Sequence, residues 1–325
     1  MLKLSPDEYR ERIEWSLDRK IQETHHRMEQ WFSYWRGEGK EVSLSFSGGL
    51  DSTVMLHLLR ANPFLKGQAI PVHFVDTGME YPEIKDFVRS TSGVTVLKTS
   101  MPFAQVVRDY GWPVISKRNS QYIKEVKRAK TAQVVRLRLT GFKADGRWSQ
   151  VSMISKKWQF MVGAPFKVSD HCCMVMKKKP LKCMSCPYVG VRATESNQRE
   201  LTYQEVGCNA FDRKSPRSWP LAFWTESNIW EYIKQNSVKY SSIYDMGYVS
   251  TGCYPCMFGL HLEKWPNRYQ LLQKTHPKLW NYCVDGLGAG KVIEWMNEHL
   301  PKKQKISIYH EDYECQMTTE RGILF

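Results

Sequence analysis

No run in the 325 residues approaches the roughly 18 consecutive apolar side chains of a membrane span. The opening MLKLSPDEYRERIEW puts acids into its first turns and has no apolar stretch of a secretory signal. A cytoplasmic location with no membrane partner is therefore expected. Internal repeats and low-complexity tracts are also missing, and 42% hydrophobic with 25% charged residues excludes disordered, collagen-like and coiled-coil classes. Acid is locally scarce. Between Lys117 and Lys182 only Glu125, Asp145 and Asp170 stand among 17 basic residues, a surplus equal to the whole-chain charge of +14, so the other 259 residues are neutral. That stretch should face an anion, either a phosphorylated small molecule or a nucleic acid, unless it is a solvated face.

What is present is alternation of strand and helix. Ser5-Pro6-Asp7-Glu8 has the form of a capping box with proline at the first helical position. Tyr9, Ile13, Leu17, Ile21, Met28, Trp31, Phe32 and Trp35 follow at helical spacing until Gly37. From Glu41 the period changes to that of a short strand, Val42, Leu44 and Phe46, broken by Ser47-Gly48-Gly49 and followed by a helical run from Asp51. A strand over 70–75 ends in Asp76-Thr77-Gly78, a helix runs over 82–89, and a third strand covers 94–97. This order implies right-handed crossovers and a parallel sheet covered by helices, an α/β doubly wound fold with its ligand beyond the carboxyl ends of the strands. The segment 122–163 alternates weakly and predicts short strands or a hairpin turning at Ala144-Asp145-Gly146. A capped helix is expected over 225–235, further helices near 267–275 and 291–299, and a strand near 306–309. The expected partition is an N-terminal amphipathic helix (1–40), a nucleotide-binding domain (41–235) with the basic insertion at about 117–168, and a C-terminal lobe (236–325).

The turn SFSGGLDST after a strand and before a helix suits phosphate. Its glycines let backbone N–H groups approach an oxyanion, Ser45, Ser47, Ser52 and Thr53 offer hydroxyls, and the helix N-terminus adds a favourable field. It lacks the lysine of a G-x-x-x-x-G-K-[ST] loop, which disfavours γ-phosphate transfer. Nine cysteines in a chain of this class argue for metal or redox use before structural disulfides. Cys172-Cys173, Cys183-x-x-Cys186 and Cys253-x-x-Cys256 are paired, while Cys208, Cys283 and Cys315 are single. Two C-x-x-C pairs suggest zinc, and a cubane cluster with four cysteine ligands competes.

Several segments resemble one family. SGGLDS (47–52) is similar to the loop of adenine-nucleotide α-hydrolases of the ATP-pyrophosphatase type, and HFVDTGMEYPE (73–83) to the D-T-G-x-x-x-P-E segment of phosphoadenosine phosphosulfate (PAPS) reductases. SDHCCMVMKKKPL (169–181) and GYVSTGCYPC (247–256) resemble the ligand segments of the adenylyl-sulfate reductases that carry a 4Fe-4S cluster. VGVRATESNQR (189–199) and PLAFWTESNIWEYI (220–233) match two further segments, with Asn228 where the family has Asp. KADGRWSQ and GCNAFDRKSPRSWPLAFWTE resemble phage- and prophage-borne PAPS-reductase-like proteins.

The resemblance implies a 4Fe-4S cluster on Cys172, Cys173, Cys253 and Cys256. It implies an adenine nucleotide (ATP, adenylyl sulfate or PAPS, with Mg as companion ion) held by Ser45, Phe46, Ser47, Gly48, Gly49, Leu50, Asp51 and Ser52, with Asp76, Thr77, Gly78 and Arg192. Lys177 matches the family lysine near cluster and substrate. The implied activity is reduction of a sulfonucleotide to sulfite and AMP or adenosine bisphosphate by a thiolate and a thioredoxin-like reductant. The pattern breaks at the tail, where the family's E-C-G-L-H becomes Glu314-Cys315-Gln316; Cys315 is the one tail candidate for the nucleophile. Two other readings stay open: ATP-dependent sulfur transfer or adenylation on DNA or tRNA held by the basic 117–147 stretch, and a non-catalytic cluster-bearing nucleotide-binding partner. Cys208, Cys283 and His276 are expected to be packing residues, and Cys183 with Cys186 a second site or plain thiols.

Overall fold

A computed structural model describes residues 3–310. Eight strands occur among them: β1 (Val42–Ser45), β2 (Val72–Asp76), β3 (Val94–Lys98), β4 (Val114–Ile115), β5 (Cys186–Val189), β6 (Asn209–Ala210), β7 (Arg217–Ser218) and β8 (Met257–Phe258). The chain divides into two compact units. Among the described residues the first holds 3–76, 82–98 and 180–243, and the second holds 77–81, 99–179 and 244–310.

The first unit is the expected α/β body. Its six strands run in the order β3-β2-β1-β5-β7-β6, parallel except for the β6–β7 pair. The chain builds outward from β1 through β2 to β3 and then returns to the other side of β1 with β5. Strand order therefore reverses between β1 and β5, which is where an open parallel sheet leaves a crevice at the carboxyl ends of its strands. The N-terminal region forms two helices rather than one, Pro6–Glu14 and Leu17–Gly37, because Ser16 interrupts the first and caps the second by accepting from the Arg19 N–H. The longer helix buries Met28, Trp31, Phe32 and Trp35. It is tied to the sheet by polar atoms at the ends of large side chains: Trp31 Nε1 donates to the Cys186 carbonyl at 3.1 Å and Tyr188 Oη to the Met28 carbonyl at 2.6 Å. Each such aromatic buries a large apolar area while its polar tip keeps a partner.

The second unit corrects two expectations. The segment expected as strands or a hairpin is largely helical, Lys117–Lys127 and Ala132–Thr140. Ser116 starts the first helix by accepting from the Asn119 N–H at 3.1 Å, and left-handed Gly141 ends the second. Only the bridge between Phe142 and Trp148, flanking the expected turn, has strand character there. Near 306–309 no strand forms. Side chains supply the hydrogen bonds a neighbouring strand would give: Asn297 pairs with both backbone groups of Ile306 (2.8 and 2.9 Å), and Asn267 and Trp280 donate to the carbonyls of Ser307 and Ile308 (2.7 and 3.1 Å). The basic stretch, expected within the nucleotide-binding domain, packs in the second unit up to Lys179. No helix among the described residues is long and apolar enough to cross a membrane.

Candidate functional site

In the first unit the loop after β1 is held by its own small side chains. Ser52 Oγ accepts from the Ser47 N–H at 3.1 Å and lies 2.9 Å from the Gly49 carbonyl, to which Thr53 Oγ1 also donates at 2.9 Å. Ser47 Oγ sits 3.0 Å from Ser52 Oγ and accepts from the Gly49 N–H at 3.3 Å. Ser52 and Thr53, expected to offer hydroxyls, are thus buried ties that fix the turn from which the helix Leu50–Ala61 departs. Gly48 has φ +73°, and a Cβ on it would meet Ile84 and Val88 at 3.0 and 3.1 Å. Gly190, just after β5, comes so close that a Cβ would stand 2.9 Å from the Ser52 backbone nitrogen. Only glycine permits that approach, and it brings Arg192 to Asp51 with Nε to Oδ1 at 2.5 Å. Asp51 stands in the first turn of the helix Leu50–Ala61 and Arg192 in the loop after β5, in the two connections that flank the strand-order reversal. Burial nevertheless pushes the Asp51 carboxyl above its ordinary value, with Arg192 pulling the other way. Asp76, at the end of β2, is paired with Lys85 at 3.2 Å.

The second unit collects Cys172, Cys173, Cys253 and Cys256. Cys172 and Cys173 close a short helix, His171–Cys173, that widens into a π turn over Met174–Lys178 and places Lys177 below Cys173. The adjacent thiols are 3.9 Å apart, with Cys172 the donor. That hydrogen bond and then the lysines Lys117, Lys177 and Lys178 pull the Cys173 thiol down, while the same hydrogen bond and burial push Cys172 up. Burial raises Cys253 and takes Cys256 to about 11. Lys177 is held above its ordinary value by Cys253 first, then by Glu80, Cys173 and Cys256.

Thr77 and Glu80 belong to this unit and were not singled out for it from the sequence. Buried Glu80 accepts from the Thr77 N–H at 3.0 Å and Oγ1 at 2.7 Å, and Thr77 Oγ1 lies 3.9 Å from Cys253 Sγ. Tyr254, inside the second cysteine pair, donates its N–H to the Met79 carbonyl at 3.0 Å. Arg268 also serves the site. Its Nε and Nη2 both donate to Glu263 Oε1, and its guanidinium also donates to the carbonyls of Cys256 and Phe258 at 3.3 and 3.1 Å. An acid followed five residues later by an arginine, just past a C-x-x-C, was the available signal.

The donor set is all sulfur, which suits iron-sulfur chemistry and disfavours hard cations. Among the described residues no three His, Cys, Asp or Glu side chains are grouped to hold a single metal ion. A four-iron cubane takes one thiolate per iron, so its ligands stand farther apart than those of one ion. The four thiols and the cation drawn to them have the donor chemistry of such a centre.

Other sequence expectations fall elsewhere. Cys186 is buried within β5 and Cys183 is exposed, both in the first unit. Cys208 and Cys283 are buried packing residues, raised by burial to about 11 and about 12. His276 hydrogen-bonds Thr275 Oγ1 at 2.8 Å and lies against Tyr81 and Tyr248. Cys315 lies outside the described residues.

The sequence matches the family model of the phosphoadenosine phosphosulfate reductase domain over residues 41–140 and 117–258. An uncharacterized protein of Methanocaldococcus jannaschii is 25% identical over 292 residues, 86% of this chain and 57% of the relative. An adenosine 5′-phosphosulfate reductase of Oceanobacillus iheyensis is 39% identical over 92 residues, 27% of this chain and 37% of the relative. The chain thus spans roughly two- to three-fifths of the curated relatives it matches. Among solved structures, the PAPS reductase of Candida auris in its phosphate complex aligns with a TM-score of 0.40 at 14% identity, covering 77% of this chain and 96% of that one.

Proposed function

The chain belongs to the phosphoadenosine phosphosulfate reductase family, and from that premise we propose that it is an oxidoreductase acting on a sulfonucleotide, adenylyl sulfate or PAPS. The observation that carries this reading is the pairing of a glycine-bounded loop at the strand-order reversal with four thiols, buried Cys172 and half-buried Cys173, Cys253 and Cys256, and half-buried Lys177 elsewhere in the same chain. The nucleotide phosphates are assigned to the loop after β1. There Gly48 and Gly190 leave room for close backbone approach, and the start of the helix Leu50–Ala61 offers positive potential. Arg192 is held for the ligand by Asp51, and an incoming anion competes for that same guanidinium.

Cys172, Cys173, Cys253 and Cys256 are assigned as ligands of a 4Fe-4S cluster, which would supply a fixed block of charge that tunes the site. Lys177 offsets the negative charge of the assembled thiolates. Glu80 anchors the Thr77 loop beside Cys253, and Arg268 holds the second cysteine pair by its carbonyls.

In the reaction, a cysteine thiolate attacks the sulfonyl sulfur and forms a sulfur–sulfur bond while the bond from sulfur to the phosphate oxygen breaks. AMP or adenosine bisphosphate leaves with the electron pair. A thioredoxin-like dithiol then attacks the cysteine sulfur, sulfite departs, and the dithiol ends as a disulfide. Cys315 is the candidate thiolate. The test is sulfite release from adenylyl sulfate or PAPS by anaerobically purified protein with reduced thioredoxin. Release that disappears in Cys315→Ser supports the assignment, and no release from iron-loaded protein overturns it.

A second reading, ATP-dependent sulfur transfer or adenylation on DNA or tRNA, is favoured by the cations of the 117–147 helices. It predicts pyrophosphate release from ATP that depends on added nucleic acid.

A further inference from the structure

Residues 117–147 carry ten basic side chains and two acids, a net +8 that one small nucleotide does not require. The structure sorts these cations into two groups. One group is spent inside the second unit. Lys124 pairs with Asp170 at 2.6 Å, Arg138 with Glu125 at 2.6 Å and Arg147 with Asp145 at 2.5 Å, and Lys127 donates to the carbonyls of Ala164 and Phe166. Three of these contacts lash the two helices to each other and to the segment leading into Cys172, so both acids of the stretch are already used. The other group, Lys117, Arg118, Arg128, Lys130, Arg136 and Lys143, is exposed and makes no ion pair among the described residues.

The turn after the second helix adds aromatic rings to these free cations. Phe142 and Trp148 are opposite partners of the antiparallel bridge, so their side chains leave on one face. They stay 40% and 56% exposed, and the Arg136 guanidinium lies 5.6 Å from the Phe142 ring centroid. Trp148 is not loose. Its indole N–H donates to the Thr140 carbonyl at 3.0 Å, and the ring occupies the space where a Cβ on Gly141 would stand, 2.9 Å from Nε1. The polar tip is satisfied and the apolar faces of a fixed ring are left in water, which a soluble surface otherwise avoids.

We propose that this turn, with Arg128, Arg136 and Lys143, binds a single-stranded nucleic acid, bases stacking on Trp148 and Phe142 while the cations follow the phosphates. A fixed aromatic pair flanked by unpaired cations matches a stacking platform. A duplex keeps its bases stacked on one another, and an acidic peptide has no rings to use the pair. The surface does not depend on which sulfur or nucleotide reaction the chain performs.

The test is fluorescence anisotropy of the full, anaerobically purified chain with labelled mixed-sequence DNA and RNA single strands of about 20 nucleotides. Binding is expected to weaken as salt rises, and Trp148→Ala to weaken it roughly tenfold or more. Phe142→Ala should act in the same direction, Trp148→Phe should stay near wild type, and Arg136→Ala with Lys143→Ala should lower the salt slope. Thermal melting followed by circular dichroism, matched to wild type, assigns these losses to the surface. No binding at about 50 mM salt overturns the proposal. So does Trp148→Ala binding as wild type, or duplex DNA, heparin or poly-glutamate displacing the probe as well as unlabelled single strand does. Sulfite or pyrophosphate assays are read separately, so their failure leaves this result intact.

Discussion

The loop after β1 and the cysteine site are both built around short motifs, yet they are stabilised in opposite ways. The loop closes on itself, with the Asp51–Arg192 pair as its one charged tie. Its hydroxyls and amides satisfy one another, and two glycines admit the neighbouring backbone. The cysteine site is made of charges and thiols from separate stretches, 77–81, 172–177 and 253–256, and depends on what is brought to it. A self-satisfied turn is formed before its ligand arrives. Thiolates beside one another repel, so as anions they depend on positive charge among them.

That contrast can be broken most sharply at the cysteines. Cys253→Ser should remove the broad visible absorption of anaerobically purified protein, with iron falling from about four per chain towards zero, while nucleotide protection of the first unit from proteolysis persists. Retention of colour and iron would remove Cys253 from the ligand set. The counterpart in the loop is Gly190→Ala. The added methyl meets backbone on both sides, so a loss of about 3 kcal/mol in urea unfolding is expected, along with lost nucleotide binding at unchanged iron content.

Lys20, in the first unit, is a fully buried cation whose ammonium donates, among the described residues, to the Ile13 carbonyl and Asn228 Oδ1, each at 2.6 Å. Burial lowers it from 10.5 to about 8, against the weaker pull of Glu14 and Glu231. The folded state then releases this proton before the unfolded chain does. Stability should therefore rise with pH between about 8 and 10.5, by on the order of 3 kcal/mol in total. Urea melts at both ends of that window should show the rise in wild type and its loss in Lys20→Met. Asn228→Asp restores the family's acid against the ammonium and adds charge in the first turn of the helix Glu226–Gln235. It should flatten the rise and stabilise by about 1 kcal/mol at neutral pH. A comparable effect is expected at Arg268→Lys. This change keeps a cation but gives up the fork to Glu263 and the carbonyls of Cys256 and Phe258, costing about 1–2 kcal/mol and speeding iron loss to a chelator.

Legibility in the sequence followed the same divide. The strand, turn and helix around Ser47–Ser52 and the capped helix Glu226–Gln235 were readable because period, glycine and capping act within a few residues. Gly190 carries no local signal of its role; its close approach to Ser52 exists because β5 pairs with β1 across about 140 residues. The basic helices were misread because VVRLRL alternates like a strand, while the interactions that keep it helical, Arg138 to Glu125 and to the Ser152 carbonyl, come from outside it. Near Ile306, strand propensity was real but the partners turned out to be side chains.

By itself, then, the sequence determined the alternating α/β body, the phosphate-suited turn, the paired cysteines and the confinement of excess charge to one stretch, since each depends on neighbouring residues or on simple counting. The tertiary structure decided which cysteines share a unit, that Glu80 and Arg268 serve them, and which lysines and arginines are already paired. Those outcomes rest on burial and on contacts between distant segments, and the energy of a buried charge depends on neighbours that only the packed chain supplies.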